Sequence, residues 1–465
     1  PLLTVYKASA GSGKTWRLTV EYVKLILQRP DSYRNTLAVT FTNKAAKEMK
    51  DRVQSLLGSS FKNLHISTFH SYGVELLYRY SKETQDVGIK VPFTVFDKGD
   101  SKKVVEKLMR DFNIDKKRFD AIFILDMISR AKANADPKSL LSDVTLETRW
   151  REFYDAYNEE LRRQGAVDFD DLLLLPLHLF SVNERVLAKE RARFKWVLVD
   201  EYQDVNPPQY KLIKMLAKSG NIMVVGDPDQ SIYGWRGANM SIIMNFEHDF
   251  PGAKVITLDQ NYRSTGMILD AANAVIKHNA ERRPKDLWTA NQRGTPVMVY
   301  LAGSDRLEAQ FIADEIRKLC HSGYSYDDIA VLYRINAMSR SYEQNLISCG
   351  IPYRIVRGVS FYERREVKDV LSYMRLAVNP ADGAALHRIG NVPARGLGIK
   401  SLAALENFIA STSLQYANPL DLWKELSLAK DLPLKGRAKA GAKEIADYMV
   451  QILLRSSEIK EVIYF

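Results

Sequence analysis

Several features that would place this chain in a specialised class of protein are missing or scarce. Its 465 residues include only two cysteines, Cys320 and Cys349, which exclude a disulfide framework and a four-thiolate zinc site. The longest strongly apolar stretch, residues 172–177, is interrupted by Pro176 and is too short to span a bilayer. No signal peptide, short repeat or low-complexity linker is found. We therefore expect a globular cytoplasmic protein with reduced thiols and no membrane association.

Positive charge is what the sequence has in excess. Lysine and arginine number 67 against 56 aspartates and glutamates, which gives a net charge of +11. Such an excess is typical of proteins that bind a polyanion such as nucleic acid, but it is spread over a long chain. Charge alone therefore leaves a basic enzyme of another kind equally open. The hydrophobic fraction of 46% is ordinary for a globular protein and excludes extensive disorder.

Short apolar runs alternate with helical periodicity at the start of the chain and again after residue 186, and this alternation is typical of a parallel sheet covered by helices. The runs predict strands at residues 2–7, 36–41, 64–68, 196–200, 222–227 and 255–258. Between the two groups, residues 76–186 have mostly helical patterns. We therefore predict an α/β fold in which a helical insertion interrupts a domain made of residues 1–75 and 187–262.

A second α/β region is predicted from residue 263 to residue 357. Its strand patterns lie at residues 297–301, 329–333 and 353–356. From residue 358 to residue 465 the pattern is again helical. The chain is thus expected to contain two sheet regions and two helical regions in alternation.

A glycine-rich turn follows the first predicted strand. Its sequence, ASAGSGKT, fits the phosphate-binding loop pattern except that an alanine replaces the first glycine. In such a loop, backbone N–H groups and the start of the next helix bind phosphate, the lysine reaches the β- and γ-phosphates, and the hydroxyl after it can ligate Mg²⁺. The predicted ATP-binding residues of this turn are Ala8, Ser9, Ala10, Gly11, Ser12, Gly13, Lys14 and Thr15.

Two acidic residues close the apolar strand at residues 196–199. In a parallel sheet the carboxyl end of this strand lies beside the phosphate loop. Asp200 is then placed to ligate Mg²⁺ together with Thr15, and Glu201 to polarise an attacking water. An acid pair at a strand end is often only a solvated turn, but its coincidence with a phosphate loop favours a nucleotide hydrolase.

Further motifs resemble those of superfamily 1 DNA helicases of the UvrD/Rep/PcrA type, and they occur in that family's order. The matching segments are residues 40–46 (TFTNKAA), 68–70 (TFH), 168–172 (DFDDL), 200–204 (DEYQD), 225–238 (VGDPDQSIYGWRGA) and 258–264 (LDQNYRS). The match runs from residue 8 to beyond residue 263, with weaker similarity to about residue 400. Residues 3–7 are slightly more similar to the RecB/AddA helicase–nucleases.

The resemblance implies two RecA-like domains, 1A and 2A, each with a helical insertion. Domain 1A would comprise residues 1–75 and 187–262, its insertion 1B residues 76–186, domain 2A residues 263–357, and insertion 2B residues 358–465. We expect 2A and 2B to be incomplete, because motifs V and VI of the family are not found in the sequence. ATP would lie between 1A and 2A, with single-stranded DNA across their top.

The resemblance also implies roles for individual residues. Gln230 would sense the γ-phosphate, Arg263 would reach it across the cleft, and Tyr262 would stack on the adenine. The predicted catalytic residues are Lys14, Glu201, Gln230 and Arg263. The predicted DNA-binding residues are Phe41, Thr42, Asn43, Thr68, Phe69, His70, Tyr233, Trp235 and Arg236. Trp235 is the first candidate for stacking on a base, and Phe41 the next.

Three functions stay open on these grounds. The leading one is an ATP- and Mg²⁺-dependent DNA helicase that acts with 3′→5′ polarity on single strands and single/double-strand junctions, in repair or recombination and with partner proteins of those pathways. The first alternative is the motor portion of a RecB/AddA-like helicase–nuclease. The second is a nucleotide-dependent DNA-binding fragment with little turnover, because the second catalytic arginine, in motif VI, is not found. We accordingly expect at most weak DNA-stimulated ATPase from this chain.

Overall fold

The structure is a computed structural model. It describes residues 3–58, 61, 64–115, 118–134, 150–217, 220–279, 286–335, 338–356, 365–413, 416 and 418–455. The strands in this part of the chain are Thr4–Ala8 (β1), Thr36–Thr40 (β2), Ile66–Thr68 (β3), Thr94–Val95 (β4), Ala166–Val167 (β5), Trp196–Val199 (β6), Ile222–Gly226 (β7) and Lys254–Leu258 (β8).

Helices surround these strands and make up most of the rest of the described chain. Up to β8 they are Lys14–Gln28 (α1), Asn43–Leu57 (α2), Phe69–Arg79 (α3), Lys98–Asp111 (α4), Ala121–Ala133 (α5), Trp150–Arg163 (α6), Asp171–Val182 (α7), Glu184–Arg193 (α8), Pro207–Leu216 (α9), Ser241–Met244 (α10) and Phe246–Asp249 (α11). After β8 they are Gly266–Ile276 (α12), Asp305–His321 (α13), Ser339–Ser348 (α14), Arg365–Val378 (α15), Gly383–Ile389 (α16), Ile399–Ser413 (α17), Pro419–Leu428 (α18) and Gly436–Leu454 (α19).

Six strands form one parallel sheet in the order β3-β2-β6-β7-β1-β8. The six strands predicted before residue 263 are confirmed. Strands β2 and β7 are buried along their whole length, because helices cover both faces of the sheet, and this burial explains their continuous apolar sequences. The strand order brings the carboxyl ends of β1, β6 and β7 to one edge, where the connecting turns can form a site.

The segment between β3 and β6 is mainly helical. Helices α4, α5 and α6 pack around a core of Val105, Ile128, Phe153 and their apolar neighbours. The only strands in the described part of this segment are β4 and β5, which pair in parallel over two residues. Helices α3 and α7 pack against each other beside the sheet, since Tyr72 and Leu173 belong to the core of the sheet region.

Helices α15 to α19 form a second helical group. Their core surrounds Trp423, whose indole N–H donates to the carbonyl of Ala377 at 3.1 Å. The group contacts the helical insertion through an ion pair from Arg375 to Asp100 at 2.7 Å. None of the helices in the described ranges is both long and apolar enough to cross a lipid bilayer.

The chain divides into two compact units, residues 1–293 with 369–465, and residues 294–368. In the second unit, helices α13 and α14 pack around a small core that includes Ala313 and Leu346. The domain boundaries assigned from the sequence stay a prediction.

The three strands predicted in the second unit are wrong. Residues 297–301, 329–333 and 353–356 include no strand, and the side chains of Val299 and Leu301 are 82% and 90% exposed. An apolar run becomes a strand only where a neighbour accepts and donates its backbone hydrogen bonds. No described residue supplies that neighbour.

Candidate functional site

The turn between β1 and α1 has the conformation of a phosphate cradle. Gly11 and Gly13 have φ angles of +67° and +80°, in the left-handed region that favours glycine. The Ser12 hydroxyl donates to the carbonyl of Ser9 at 2.7 Å and closes the turn. Helix α1 begins at Lys14 without a side-chain cap, so the N–H groups of its first turn and its positive dipole end remain available to an anion.

Lys14 and Glu201 meet at the mouth of this turn. The Lys14 ammonium lies 3.2 Å from a carboxylate oxygen of Glu201, and its side chain is only 9% exposed. The two groups are close enough for an ion pair, but their angles are unsuitable for a hydrogen bond. The buried ammonium therefore has no hydrogen-bond acceptor among the described residues. A buried cation with unused donors is suited to a phosphate oxygen.

Thr15 and Asp200 form the second contact at this edge of the sheet. The Thr15 hydroxyl donates to Asp200 at 2.9 Å across 185 residues of chain. Burial, and then the charge of Glu201, raise the pKa of Asp200 to about 6. A hydroxyl next to a carboxylate is a pair of hard oxygen ligands of the kind that Mg²⁺ prefers. The residues therefore fit the cation that the phosphate loop implies.

Glu201 is held in an uncommon backbone conformation. Its φ of +49° is one of two positive values among non-glycine residues of the described chain. Gln203, which was given no role from the sequence, donates to Glu201 at 2.9 Å and accepts the backbone N–H of Asp227 at 2.8 Å. The amide of Gln203 thus joins the end of β6 to the turn after β7, where Gln230 donates to Asp227 at 2.5 Å.

The segment after β8 packs directly on the phosphate loop. The backbone N–H of Tyr262 donates to the carbonyl of Gly11 at 3.0 Å. A Cβ atom on Gly11 would lie 2.9 Å from the Cβ of Arg263. Tyr262 is 65% exposed, and the Arg263 side chain is also exposed with no ion pair to the described residues. Lys14, Glu201 and Arg263, predicted separately, are therefore brought to one edge of the sheet, with Gln230 on the turn after the adjacent β7.

Aromatic side chains form a row on the surface beside this edge. The rings of Phe41 and Tyr233 stack with centroids 4.9 Å apart, and the ring of Trp235 lies 6.4 Å from that of Tyr233. The Arg236 guanidinium lies over Trp235 at 4.5 Å. Trp235 is 67% exposed, so much of its indole surface is open to solvent beside the row.

His70 contributes to a second aromatic pair. Its ring stacks on that of Phe169 at 4.2 Å, and Phe169 is 58% exposed. Burial lowers the pKa of His70 to about 4, so the imidazole is neutral at pH 7. Phe169 was quoted within a motif but was not among the predicted DNA contacts. Its signal in the sequence was a large aromatic residue between acidic ones, where a core position is unexpected.

Several of the predicted DNA contacts lie at the starts of helices α2 and α3. The hydroxyl of Thr42 caps α2 by accepting the N–H of Ala45, and that of Thr68 caps α3 by accepting the N–H of Ser71. Asn43 lines a cavity of about 360 Å³ together with Thr68 and His70. Both helices therefore direct N-terminal N–H groups and dipoles toward this surface, which suits a nucleic-acid phosphate.

Phe69, one of the predicted DNA-binding residues, has a buried side chain. Its ring is 3% exposed and belongs to the core of the sheet region. Phe69 is the first residue of α3, directly after β3, where the helix turns its first side chain inward to cover the sheet. The ring is therefore not available to a ligand on the surface.

Comparison with known proteins agrees with this geometry. The family model of the UvrD/REP helicase N-terminal domain matches residues 3–251, and that of the UvrD-like helicase C-terminal domain matches residues 256–440. The ATP-dependent DNA helicase PcrA of Staphylococcus aureus strain Mu50 is 42% identical over 469 residues, and that of Staphylococcus epidermidis strain ATCC 12228 is 41% identical over 473.

These alignments take in 99% of this chain and 62% of each relative, so the chain spans about three-fifths of the length of the curated relatives that it matches. The first family model alone covers more than half of the chain, and the fold is the parallel α/β sheet expected from the resemblance. The chain belongs to the UvrD/REP family of helicases.

Proposed function

We propose that this chain is the ATP-hydrolysing motor of a DNA helicase that moves along single-stranded DNA. The observation that carries the proposal is the pair of contacts Thr15–Asp200 at 2.9 Å and Lys14–Glu201 at 3.2 Å, at the edge of a parallel sheet. They combine a phosphate cradle, two oxygen ligands for a cation and a carboxylate able to orient water. The relatives are ATP-dependent DNA helicases by name, which supports the same activity here.

Each side chain has a defined task in hydrolysis. The loop N–H groups and Lys14 bind the terminal phosphates of ATP. Thr15 and Asp200 would hold Mg²⁺, which would supply positive charge beside the phosphate oxygens. Glu201 accepts hydrogen bonds from the attacking water and orients it toward the γ-phosphorus. The Arg263 guanidinium stabilises the negative charge that develops on the transferred group. Gln230 connects this site to the turn that carries Tyr233 and Trp235.

Single-stranded DNA occupies the aromatic row in this proposal. The exposed rings of Trp235 and Phe169 offer stacking surfaces, and stacking tolerates any base sequence because every base has a flat face. The capped starts of α2 and α3 bind backbone phosphates between the two aromatic groups. A net charge of +11 favours the same polyanion. We further propose that the chain has domains 1A, 1B, 2A and 2B with the boundaries predicted from the sequence. In this proposal the motor moves in the 3′→5′ direction, binds single/double-strand junctions and acts in repair or recombination.

The test is ATP turnover measured with and without single-stranded DNA, together with strand separation on duplexes that carry a 3′ or a 5′ tail. We expect at most weak stimulation by the single strand, and we expect any strand separation to favour the 3′ tail. Lys14→Ala should abolish turnover and greatly weaken nucleotide binding. Unchanged turnover in that variant would remove the proposal.

A nucleotide-dependent DNA-binding module with little turnover is the second candidate. It is favoured by the second unit, whose apolar runs at residues 297–301 and 329–333 form no sheet. In that case ATP and DNA would each bind, but the single strand would not accelerate turnover. The same ATPase measurement therefore separates the two functions. The motor portion of a helicase–nuclease would behave as the first candidate in this measurement.

A further inference from the structure

Asn261 differs from its two neighbours in being buried. Its side chain is 2% exposed, whereas Tyr262 and Arg263 face solvent. Its Nδ2 donates to the carbonyl of Ala10 in the phosphate loop at 2.6 Å. Its Oδ1 accepts the backbone N–H groups of Arg263 at 2.8 Å and Ser264 at 2.7 Å. One side-chain amide thus connects the loop to the turn that carries Arg263.

The contact is tight as well as polar. A Cβ atom on Gly11 would lie 2.5 Å from Nδ2 of Asn261, so only glycine leaves room for the amide. The backbone of Asn261 is fixed too, because its N–H donates to Trp288 at 2.7 Å and its carbonyl accepts the Thr289 hydroxyl at 2.7 Å. Five hydrogen bonds, made by all four polar groups of Asn261, therefore hold this residue in place.

We propose that Asn261 is a positioning residue, which holds the backbone of Arg263 at a fixed place beside the phosphate loop. This inference rests on the proposed function. Arginine has a long flexible side chain, and the Arg263 side chain is exposed, so only its backbone attachment limits where the guanidinium can reach. A catalytic group that is misplaced by about 1 Å can lose roughly a hundredfold in rate. The side-chain amide of Asn261 fixes the backbone of Arg263 and so limits the positions that the guanidinium can reach.

Two substitutions separate the two sets of hydrogen bonds that the Asn261 side chain makes, one to the phosphate loop and one to the turn that carries Arg263. Asn261→Asp keeps an oxygen that accepts the N–H groups of Arg263 and Ser264, so the turn keeps these two hydrogen bonds. The thermal unfolding midpoint measures what the buried charge costs the fold. It has no donor for the carbonyl of Ala10, and its negative charge faces that carbonyl. Asn261→Ala removes the hydrogen bond to the phosphate loop and those to the turn that carries Arg263. A merely structural role would make the aspartate variant behave as the original protein in catalysis.

The experiment measures nucleotide affinity, the maximal rate of DNA-stimulated ATP hydrolysis and the thermal unfolding midpoint. The proteins are the original chain, Lys14→Ala, Asn261→Asp, Asn261→Ala, Arg263→Ala, and the double variant Asn261→Asp/Arg263→Ala. We expect Asn261→Asp to lower kcat by roughly tenfold to a hundredfold while the affinity for ATP changes little. In the Arg263→Ala background the same substitution should have almost no further effect, because the group that it positions is gone.

Two results would overturn the inference while leaving the proposed function intact. One is an Asn261→Asp variant with the original kcat, and the other is a double variant whose loss equals the product of the two single losses. If Asn261→Ala does not fold, the aspartate and arginine variants still decide the question. An original chain whose ATP turnover does not depend on Lys14 would instead reject the proposed function itself, and this inference with it.

Discussion

At the scale of single residues, Asp200 and Glu201 are adjacent in the chain but have different surroundings. Asp200 is buried beside the Thr15 hydroxyl, and Glu201 is a third exposed and faces Lys14. We expect Asp200→Asn to weaken Mg²⁺ binding by on the order of tenfold or more, because it removes a charged oxygen ligand. Glu201→Gln should keep Mg²⁺–ATP binding and lower kcat by about 10²–10⁴-fold, because it removes the group that orients water.

Nucleotide titration at several Mg²⁺ concentrations, with turnover of both variants, checks this division of roles. The original protein should also need more Mg²⁺ below pH 6 than at pH 8, because the pKa of Asp200 is about 6 and its protonated form is a poor ligand. Identical behaviour of the two variants would contradict the assignment.

Trp235 is the first candidate for stacking on a base of single-stranded DNA. Its ring is 67% exposed, and the Arg236 guanidinium lies over its face at 4.5 Å. Trp235→Ala should weaken the affinity for single-stranded DNA by about 1–3 kcal/mol and leave basal ATPase nearly unchanged. The salt dependence of binding should also stay the same, since stacking releases few counterions. Fluorescence anisotropy at several salt concentrations measures both quantities.

Phe123 provides a matched control for this measurement. It is 51% exposed on α5 and makes no contact with the aromatic row among the described residues. Phe123→Ala should leave the affinity for the single strand unchanged. A loss at Trp235 that is confined to the salt slope would mean that the indole is not a stacking surface.

At the scale of elements, helices α5 and α7 are joined by buried charges. The Lys132 ammonium is completely buried and forms ion pairs with Asp168 at 2.7 Å and Asp171 at 2.6 Å. Burial, and then the charge of Asp168, raise the pKa of the neighbouring Asp170 to about 7. One lysine thus faces three aspartates, and the folded protein favours the protonated form of one of them.

The pH dependence of stability follows from this raised pKa. Burial also raises the pKa of Asp171, to about 6, and the two carboxyl groups titrate together. The folded chain therefore holds a proton in this pair that the unfolded chain releases, so the contribution of the pair to stability is lost progressively as pH rises from about 4 to 7. Asp170→Asn removes the charge. Relative to the original protein, it should gain on the order of 1 kcal/mol between pH 5 and pH 8.

Urea unfolding of both proteins at the two pH values measures this difference. Asp51→Asn, at an exposed position of α2, is the control for the same chemical change. An Asp170→Asn variant whose relative stability is the same at pH 5 and pH 8 would show that the cluster does not titrate in this range.

Elements also explain which parts of the molecule were predictable. Strands β2 and β7 were predicted because both faces of each are buried, and the sequence must then be apolar throughout. Residues 297–301 have the same apolar character, but pattern alone cannot supply the neighbouring strand. In the site, Lys14 and Asp200 could be predicted from sequence motifs because few residue types can bind phosphate or ligate Mg²⁺ at those positions. Asn261 and Gln203 were missed because a bridging amide is recognised only from what lies on both sides of it.

At the scale of the whole molecule, the second unit exposes much of its apolar surface. Val299, Leu301 and Leu332 are 82%, 90% and 90% exposed. Such a surface should bind a fluorescent hydrophobic dye at pH 7 without denaturant. The double variant Val299→Lys/Leu301→Lys should lower dye fluorescence and leave the affinity for ATP unchanged. Leu27→Lys, which removes a single isolated side chain that is 69% exposed on α1, should have little effect on the dye.

The position of β1 between β7 and β8 has a consequence for synthesis on the ribosome. Once made, β1 has no neighbouring strand until residues beyond 222 have been made, which takes roughly 10–45 s at ordinary elongation rates. Helices α4 to α6 depend on local contacts and can fold during this interval. The nascent chain therefore passes through a long stage with helices but no nucleotide site, while Val5 and Tyr6 remain open to chaperones. We expect ribosome-bound chains stalled before β7 emerges not to be retained on immobilised ATP, and chains stalled after β8 emerges to be retained.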